Sequence, residues 1–243
     1  MARAGKETDS RTAILDAAED LFSRRGFGAV ALREIARAAG LNVGSLTYHF
    51  GDKAGILSAI YERHTRPMNA RRLELIREAT RIEDRGARLT AILRAYVVPA
   101  FRSSDDLVGG GARFTRLRAM LSAEGSEQAR AIIADAFDAT TRAFIDAIAG
   151  CVPGATRADI VWRSQFLLGS LYYALINPER ISRLSDGRAD GFDHDEAIRQ
   201  IVDASHASLW ALAAAPADGS ARAAGAAVRR GPSGPKVTVP SVT

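Results

Sequence analysis

An all-α protein is what this sequence predicts: an N-terminal three-helix module followed by a larger helical body. Three observations carry that expectation. Apolar residues recur at helical spacing through almost every segment, and strand-like alternation is nearly absent. Capping residues and closing glycines bracket the periodic runs. Residues 12–53, TAILDAAEDLFSRRGFGAVALREIARAAGLNVGSLTYHFGDK, compress three such runs into the build of a helix-turn-helix module.

The elements follow in order. Helix one is predicted from about Ser10 to Arg25, capped by Asp9 or Ser10, with Ile14, Leu15, Ala18, Leu21 and Phe22 as its apolar stripe and Gly26 closing it. Helix two covers about Leu32–Ala39, with Leu32, Ile35 and Ala36 inward and Gly40 at its end. Asn42 caps a short third helix through His49. Asp52 opens a long fourth helix to about Thr80, with a kink expected at Pro67. Helix five spans about Arg85–Phe101, with Pro99 near its end or at a bend, and SSDDLVGGG (103–111) reads as a loop. Helix six is expected over about Arg113–Ala123. Helix seven runs from Ser126 to about Ala149, burying Ile132, Ile133, Ala136, Phe137, Phe144, Ile145 and Ile148. CVPG (151–154) breaks it. Helix eight covers about Arg157 to Ile176 and stops at Asn177-Pro178, a polar loop takes 179–192, and helix nine spans about Asp193–Ala214. The Ala, Gly, Pro, Ser and Arg of 216–243 have almost nothing to bury and read as a disordered tail. The expected domains are therefore 1–57, 58–215 and that tail.

Composition narrows the function classes. At 243 residues, 47% hydrophobic and 25% charged, the chain can build one large domain or a small one plus a larger one. No apolar run approaches the roughly 18 residues that span a bilayer, so no membrane partner is expected. The polar start MARAGKETDSR lacks a signal-peptide core, and the single Cys151 fits a reducing cytosol, which points to a cytoplasmic protein. The net charge of +5 favours acidic partners weakly, because only Lys6, Lys53 and Lys236 among 33 basic residues are lysines and a GC-rich coding bias explains such Arg enrichment. Its distribution says more: residues 54–103 hold ten Arg against five acids, and 104–215 hold eleven Arg against fifteen acids.

The turn between helices two and three carries the functional argument. Ala38-Ala39 are small where two helices approach, Gly40 permits a positive φ, Leu41 can plug the core, and Asn42 caps the next helix. The third helix is too short for a core element, and Gly44, Ser45, Thr47 and Tyr48 are small or polar. Such a face suits insertion into the DNA major groove, with Leu46 and Phe50 as anchors and Lys53 placed to reach a phosphate.

Residues 11–57 resemble the DNA-binding domain of the TetR family of bacterial transcriptional regulators. The resemblance rests on Ile14-Leu15-x-Ala-Ala, Leu21-Phe22, Gly26-Phe27, Ile35-Ala36, Ala39-Gly40 and Gly44-x-Leu46-x-Tyr48-His49-Phe50-x-x-Lys53. It implies a DNA-binding set of Arg33, Asn42, Val43, Gly44, Ser45, Thr47, Tyr48, His49 and Lys53. For His49, bracing the module competes with direct contact. Two departures stand out. Val30-Ala31 replaces the hydroxyl that usually caps helix two and touches a phosphate, a loss of about 1 kcal/mol for the cap. Thr47 stands where Tyr is frequent.

The resemblance further implies a ligand pocket and a dimer interface in the C-terminal domain. Candidate pocket residues are Met68, Tyr96, Phe101, Phe114, Leu117, Met120, Leu121, Phe137, Phe144, Trp162 and Tyr173, an aromatic and Met-rich set suited to an apolar effector; plain core packing is the competing reading. YHFGDK followed by Arg-Pro-Met-Asn (66–69) resembles a branch that senses fatty acids or acyl thioesters. Helices eight and nine offer Phe166, Leu167, Ser170, Leu171, Ala174, Ala204, Ala207, Ser208 and Ala211 as a homodimer surface, again with internal core as the alternative. No cofactor or metal is expected: the four His are scattered, Cys151 has no partner at ligand spacing, Asp193-His194-Asp195 sits at a helix start, and Gly109–Gly111 lacks the Lys-Ser/Thr of a phosphate loop. The expectation is thus a non-enzymatic, ligand-responsive repressor acting on a palindromic operator, against the alternative of a helical scaffold without specific DNA reading.

Overall fold

A computed structural model describes residues 2–102 and 111–214, with side chains for 9–101 and 113–213, and among them there is no strand. The described helices are α1 (Ala2–Arg25), α2 (Leu32–Ala38), α3 (Val43–Phe50), α4 (Lys53–Ala79), α5 (Arg85–Arg102), α6 (Gly111–Glu124), α7 (Glu127–Ala149), α8 (Arg157–Ile176), α9 (Pro178–Leu184) and α10 (His194–Ala214). No described helix is long and apolar enough to cross a membrane.

Side-chain caps set the start of four helices. Asn42, Asp52, Ser126 and Thr156 each accept a backbone N–H from the first turn of α3, α4, α7 and α8. Two expectations fail. Asp9 and Ser10 do not cap α1 but lie inside it, because Ala, Lys, Glu and Arg upstream are good helix formers with no proline among them. The loop expected at 179–192 begins instead with α9, where Pro178 occupies the first turn with its φ already helical and Glu179 faces the positive helix end. α4 and α5 keep their helical assignment on both sides of Pro67 and Pro99, so neither proline ends its helix. Of the expected loop at 103–111, Gly111 opens α6 and the remainder lies outside the described residues, as does the expected tail at 216–243.

Two apolar clusters hold the chain together. In the first, Ile14, Ala18 and Phe22 of α1 meet Ile35, Leu46, Ile56 and Ile60, all fully buried. Phe114, Leu117 and Leu121 of α6 and Phe137 of α7 belong to that same cluster, so packing continues across the boundary expected near residue 57. The second joins Leu89, Ile92 and Leu93 of α5 to Ile148, Ile160, Ile198 and Leu209. Each fully buried aliphatic side chain contributes about 1.5–3 kcal/mol against the entropy of ordering the chain. On α7 the expected inner face is offset: Ala129 and Thr140 are buried, whereas Ile132, Ile133 and Ala136 are half-buried at the edge of the first cluster. Cys151 is a buried thiol, pushed above its ordinary pKa by that burial.

α1 is locked to α4 by a polar cluster. Buried Glu19 accepts from Arg63 and lies 2.8 Å from Nε2 of buried His64, while Arg63 reaches Asp16 at 2.6 Å. Burial pushes the Glu19 carboxyl up, but the His64 hydrogen bond and the charges of His64 and Arg63 outweigh it, leaving the pKa below the usual 4.5. A carboxyl held low in the folded chain adds stability that is present above its unfolded pKa and lost as pH falls through the folded one. Glu19→Gln should therefore cost about 1–3 kcal/mol at pH 7 and flatten the acid limb below about pH 4.5 in urea titrations. An acid limb as steep as that of the parent chain would contradict this assignment.

Candidate nucleic-acid interface

The turn that aims α3 is a Schellman motif. Leu41 N–H reaches Ala36 O at 2.9 Å, Gly40 N–H reaches Arg37 O at 3.2 Å, and Gly40 takes φ +68°, which a β-carbon would strain. Asn42 Oδ1 then accepts from Ser45 N at 2.9 Å and lies 3.3 Å from the Ser45 hydroxyl. Leu46 is fully buried and pins α3 to the head.

The opposite side of α3 is bare. Asn42, Val43, Gly44, Thr47 and Tyr48 are exposed, Tyr48 at 78%, and Ser45 and His49 are half-buried. The Thr47 hydroxyl donates back to Val43 O at 3.2 Å, which leaves its lone pairs outward. The His49 ring lies 5.2 Å from that of Tyr48 and 6.1 Å from that of Phe50. Arg33 is exposed on α2, and so is Arg37 one turn further along, a cation that the helical spacing from Arg33 could have flagged.

Lys53 departs from its expected role. Its Nζ donates inward to Phe27 O at 2.8 Å and Val30 O at 2.9 Å, and it lies 4.4 Å above the Phe27 ring. Two of its three donors therefore hold the α1–α2 loop rather than a phosphate. The same loop is held from the other side by Glu124, the last residue of α6: Phe27 N donates to Oε1 at 2.7 Å and Gly28 N to Oε2 at 3.2 Å. Gly26 is required where these meet. It has φ +84°, and a β-carbon there would lie 2.1 Å from Glu124 Oε1.

The missing hydroxyl before α2 is partly replaced. Ala31 has no side-chain acceptor, but Glu34 Oε2 accepts from Ala31 N at 2.8 Å, which is half of a capping box. Arg25 Nη1 binds the other Glu34 oxygen at 2.7 Å. The Ala31 N–H and Arg25 together hold the Glu34 carboxyl below its ordinary pKa. Val30 is buried with Ile35 in the head core, at the two positions of a hydrophobic staple.

The expected pocket and dimer residues separate. Met68, Tyr96, Phe101, Phe114, Leu117, Leu121, Phe137 and Phe144 are buried, and of these Met68 and Phe114 line an enclosed cavity among α4, α5, α6 and α8. Met120 lies near Gly26 at the α1–α2 loop. Trp162 and Tyr173 lie outside this cavity: they are 64% and 48% exposed, since α8 turns them outward with Phe166. A groove of about 580 Å³ along α4 and α5, lined by Leu75, Ile82, Ala91 and Val98, contains none of the expected pocket residues. Of the expected dimer residues, Leu167 and Leu171 are internal core, because they face the second cluster. Phe166, Ser170, Ala204, Ala207 and Ala211 are exposed, and Ala174 and Ser208 are half-buried.

A three-helix head that offers one short capped helix to solvent, carried on an all-helical body, defines a helix-turn-helix protein. Residues 14–60 match the family model for bacterial regulatory proteins of the tetR family, and residues 94–208 match that for the tetracyclin repressor-like C-terminal domain. The chain belongs to the TetR family. It is 44% identical over 64 residues to the HTH-type transcriptional regulator AcrR of Shigella flexneri, covering 26% of this chain and 30% of that protein. It is 33% identical over 95 residues to the HTH-type transcriptional repressor KstR2 of Rhodococcus jostii, covering 39% and 43%. The chain thus aligns with less than half the length of these curated relatives. SmeT, the repressor of the Stenotrophomonas maltophilia multidrug efflux pump SmeDEF, shares the fold with a TM-score of 0.52 at 22% identity, covering 82% of this chain and 91% of that one.

Lys53→Met should destabilise the chain by about 1.5–3 kcal/mol in urea unfolding, since it removes two charged hydrogen bonds to the loop. Tyr48→Ala, which removes only an exposed ring, should stay within about 0.5 kcal/mol of the parent. Equal stabilities for the two variants would contradict the bracing role of Lys53.

Proposed function

We propose that the chain is a homodimeric, ligand-controlled DNA-binding repressor. The carrying observation is the bare face of α3, where exposed Val43, Gly44, Thr47 and Tyr48 project from a head whose other side is packed shut. In this reading α3 enters the major groove, with its capped N-terminus and Asn42 and Ser45 near the backbone. Tyr48 makes the outermost contact, Arg33 reaches a phosphate, and His49 steadies Tyr48. A palindromic operator follows from two-fold symmetry.

The surface of α8 supports the dimer. Trp162, Phe166, Gly169 and Tyr173 share one exposed stripe at helical spacing, and Trp210 of α10 is also exposed. Arg163 Nη1 donates to Ser208 Oγ at 3.0 Å and joins α8 to α10. A second copy laid against this stripe would bury an apolar surface that is otherwise wet.

Control by a ligand would run through α6. That helix contributes Phe114 and Arg118 to the enclosed cavity and ends at Glu124, which holds the α1–α2 loop. A ligand that binds better when α6 is displaced would shift the head between two placements by its difference in affinity for them.

A mobility-shift and footprinting experiment on the DNA upstream of the protein's own gene tests the reading. The parent chain should give a two-fold symmetric footprint, and Tyr48→Ala should weaken operator binding at least tenfold without changing the oligomeric state. Binding that is only salt-sensitive and without sequence preference, equal in parent and variant, would favour a scaffold over a repressor.

A further inference from the structure

The enclosed cavity holds two cations that have no acid paired with them among the described residues. Arg72 of α4 is fully buried: its Nε donates to Tyr96 O at 3.0 Å and its guanidinium stacks 4.1 Å from the Tyr96 ring, but Nη1 and Nη2 have no partner. Arg118 of α6 is 8% exposed and lies over Phe137 at 3.6 Å and Tyr172 at 4.8 Å, with Nε unpartnered. The Tyr172 hydroxyl is buried and unpartnered too. Among the described residues no carboxylate pairs with either guanidinium. Of the remaining walls, Met68, Ala100, Phe114 and Leu171 are apolar and Thr115 carries a hydroxyl.

This arrangement is costly unless something completes it. A guanidinium does not shed its proton near neutral pH, so both charges persist in a setting that disfavours them and repels one against the other. Burial is the main cause that lowers the pKa of Arg72; Tyr96 opposes it, and the nearby charge of Arg118 lowers it further by a smaller amount. Replacing such charges with apolar groups commonly stabilises a fold, so their presence calls for a ligand.

We propose that Arg72 and Arg118 receive the carboxylate of an organic monoanion with an apolar body, the effector of the ligand-controlled reading above, on which this inference rests. The free Nη1/Nη2 edge of Arg72 matches the two oxygens of a carboxylate. Tyr172 supplies a hydroxyl donor, and Arg118 a second charge. A doubly charged phosphate would leave more hydration behind in a space walled by Met68, Phe114 and Leu171. The cavity has room for about one water, at about 10 Å³, so the apolar body must displace side chains to enter. Met68, unbranched and adaptable, is suited to that movement. Because Arg118 lies six residues before Glu124 on one helix, drawing Arg118 toward a bound carboxylate loads the hold on Phe27 and Gly28.

The test uses the full chain, thermal unfolding and the sodium salts of acetate, hexanoate, decanoate, benzoate and phenylacetate, with chloride as the matched salt. At least one carboxylate with an apolar body should raise Tm by about 3 °C or more, as binding to the folded state alone requires. Its methyl ester and acetate should not. Arg72→Met should unfold at the same or higher temperature than the parent without ligand, and both Arg72→Met and Arg118→Met should lose the carboxylate response. No response from any carboxylate would overturn the proposal, as would an equal response from the ester or from both variants. Operator binding measured on the same samples separates the two readings. Carboxylate binding without operator recognition sinks the repressor reading alone, and operator recognition without carboxylate binding sinks only this inference.

Discussion

The head depends on a two-sided grip on one short loop. Between α1 and α2, residues 26–30 expose backbone donors on one side and acceptors on the other. Glu124 takes the N–H groups of Phe27 and Gly28, and Lys53 donates to the carbonyls of Phe27 and Val30. One partner comes from the end of α6 and the other from the start of α4, so the loop couples the head to two helices of the body. Gly26 makes the grip possible by leaving room for the Glu124 carboxylate.

That grip explains why packing does not stop where the head was expected to end. Phe114, Leu117 and Leu121 of α6 share a buried cluster with Ile14, Phe22 and Leu46. A rigid α6 therefore touches the head twice, through apolar packing and through its terminal carboxylate. The same helix carries Arg118, which shares a cavity with Arg72 of α4, so one of the two least comfortable charges in the body lies on the helix that holds the head. In the proposed mechanism the effector relieves those charges, and its binding energy is expressed as a shift of α6. Only a difference in affinity between two placements can do this.

What was legible in the sequence was local. The caps at Asn42 and Asp52, the turn at Gly40 and the inward Leu46 follow from spacing within a few residues, and each stands as expected. The position of Lys53 beside α3 suggests a phosphate contact, but carbonyls 23 and 26 residues away claim its ammonium. Glu124 could not be read at all: its partners lie 96 and 97 residues upstream, and a helix-ending Glu carries no local signal of them. The aromatic set on α4–α8 was legible as apolar but not by side. Helical spacing alone does not tell Trp162 and Tyr173, which face outward, from Phe114 and Phe137, which face in. Arg72 and Arg118 carry no signal in the sequence because Arg is abundant throughout the chain, and burial distinguishes these two.

The central claim, that α6 holds the reading head through Glu124, is tested most directly by amide hydrogen exchange in the parent chain and in Glu124→Ala. The account predicts that Phe27 and Gly28 exchange slowly in the parent and about tenfold or more faster in the variant, as loss of one hydrogen bond each implies. The amides of Leu46 to Phe50 in α3 should keep their protection. Identical exchange at Phe27 and Gly28 in the two proteins would contradict it.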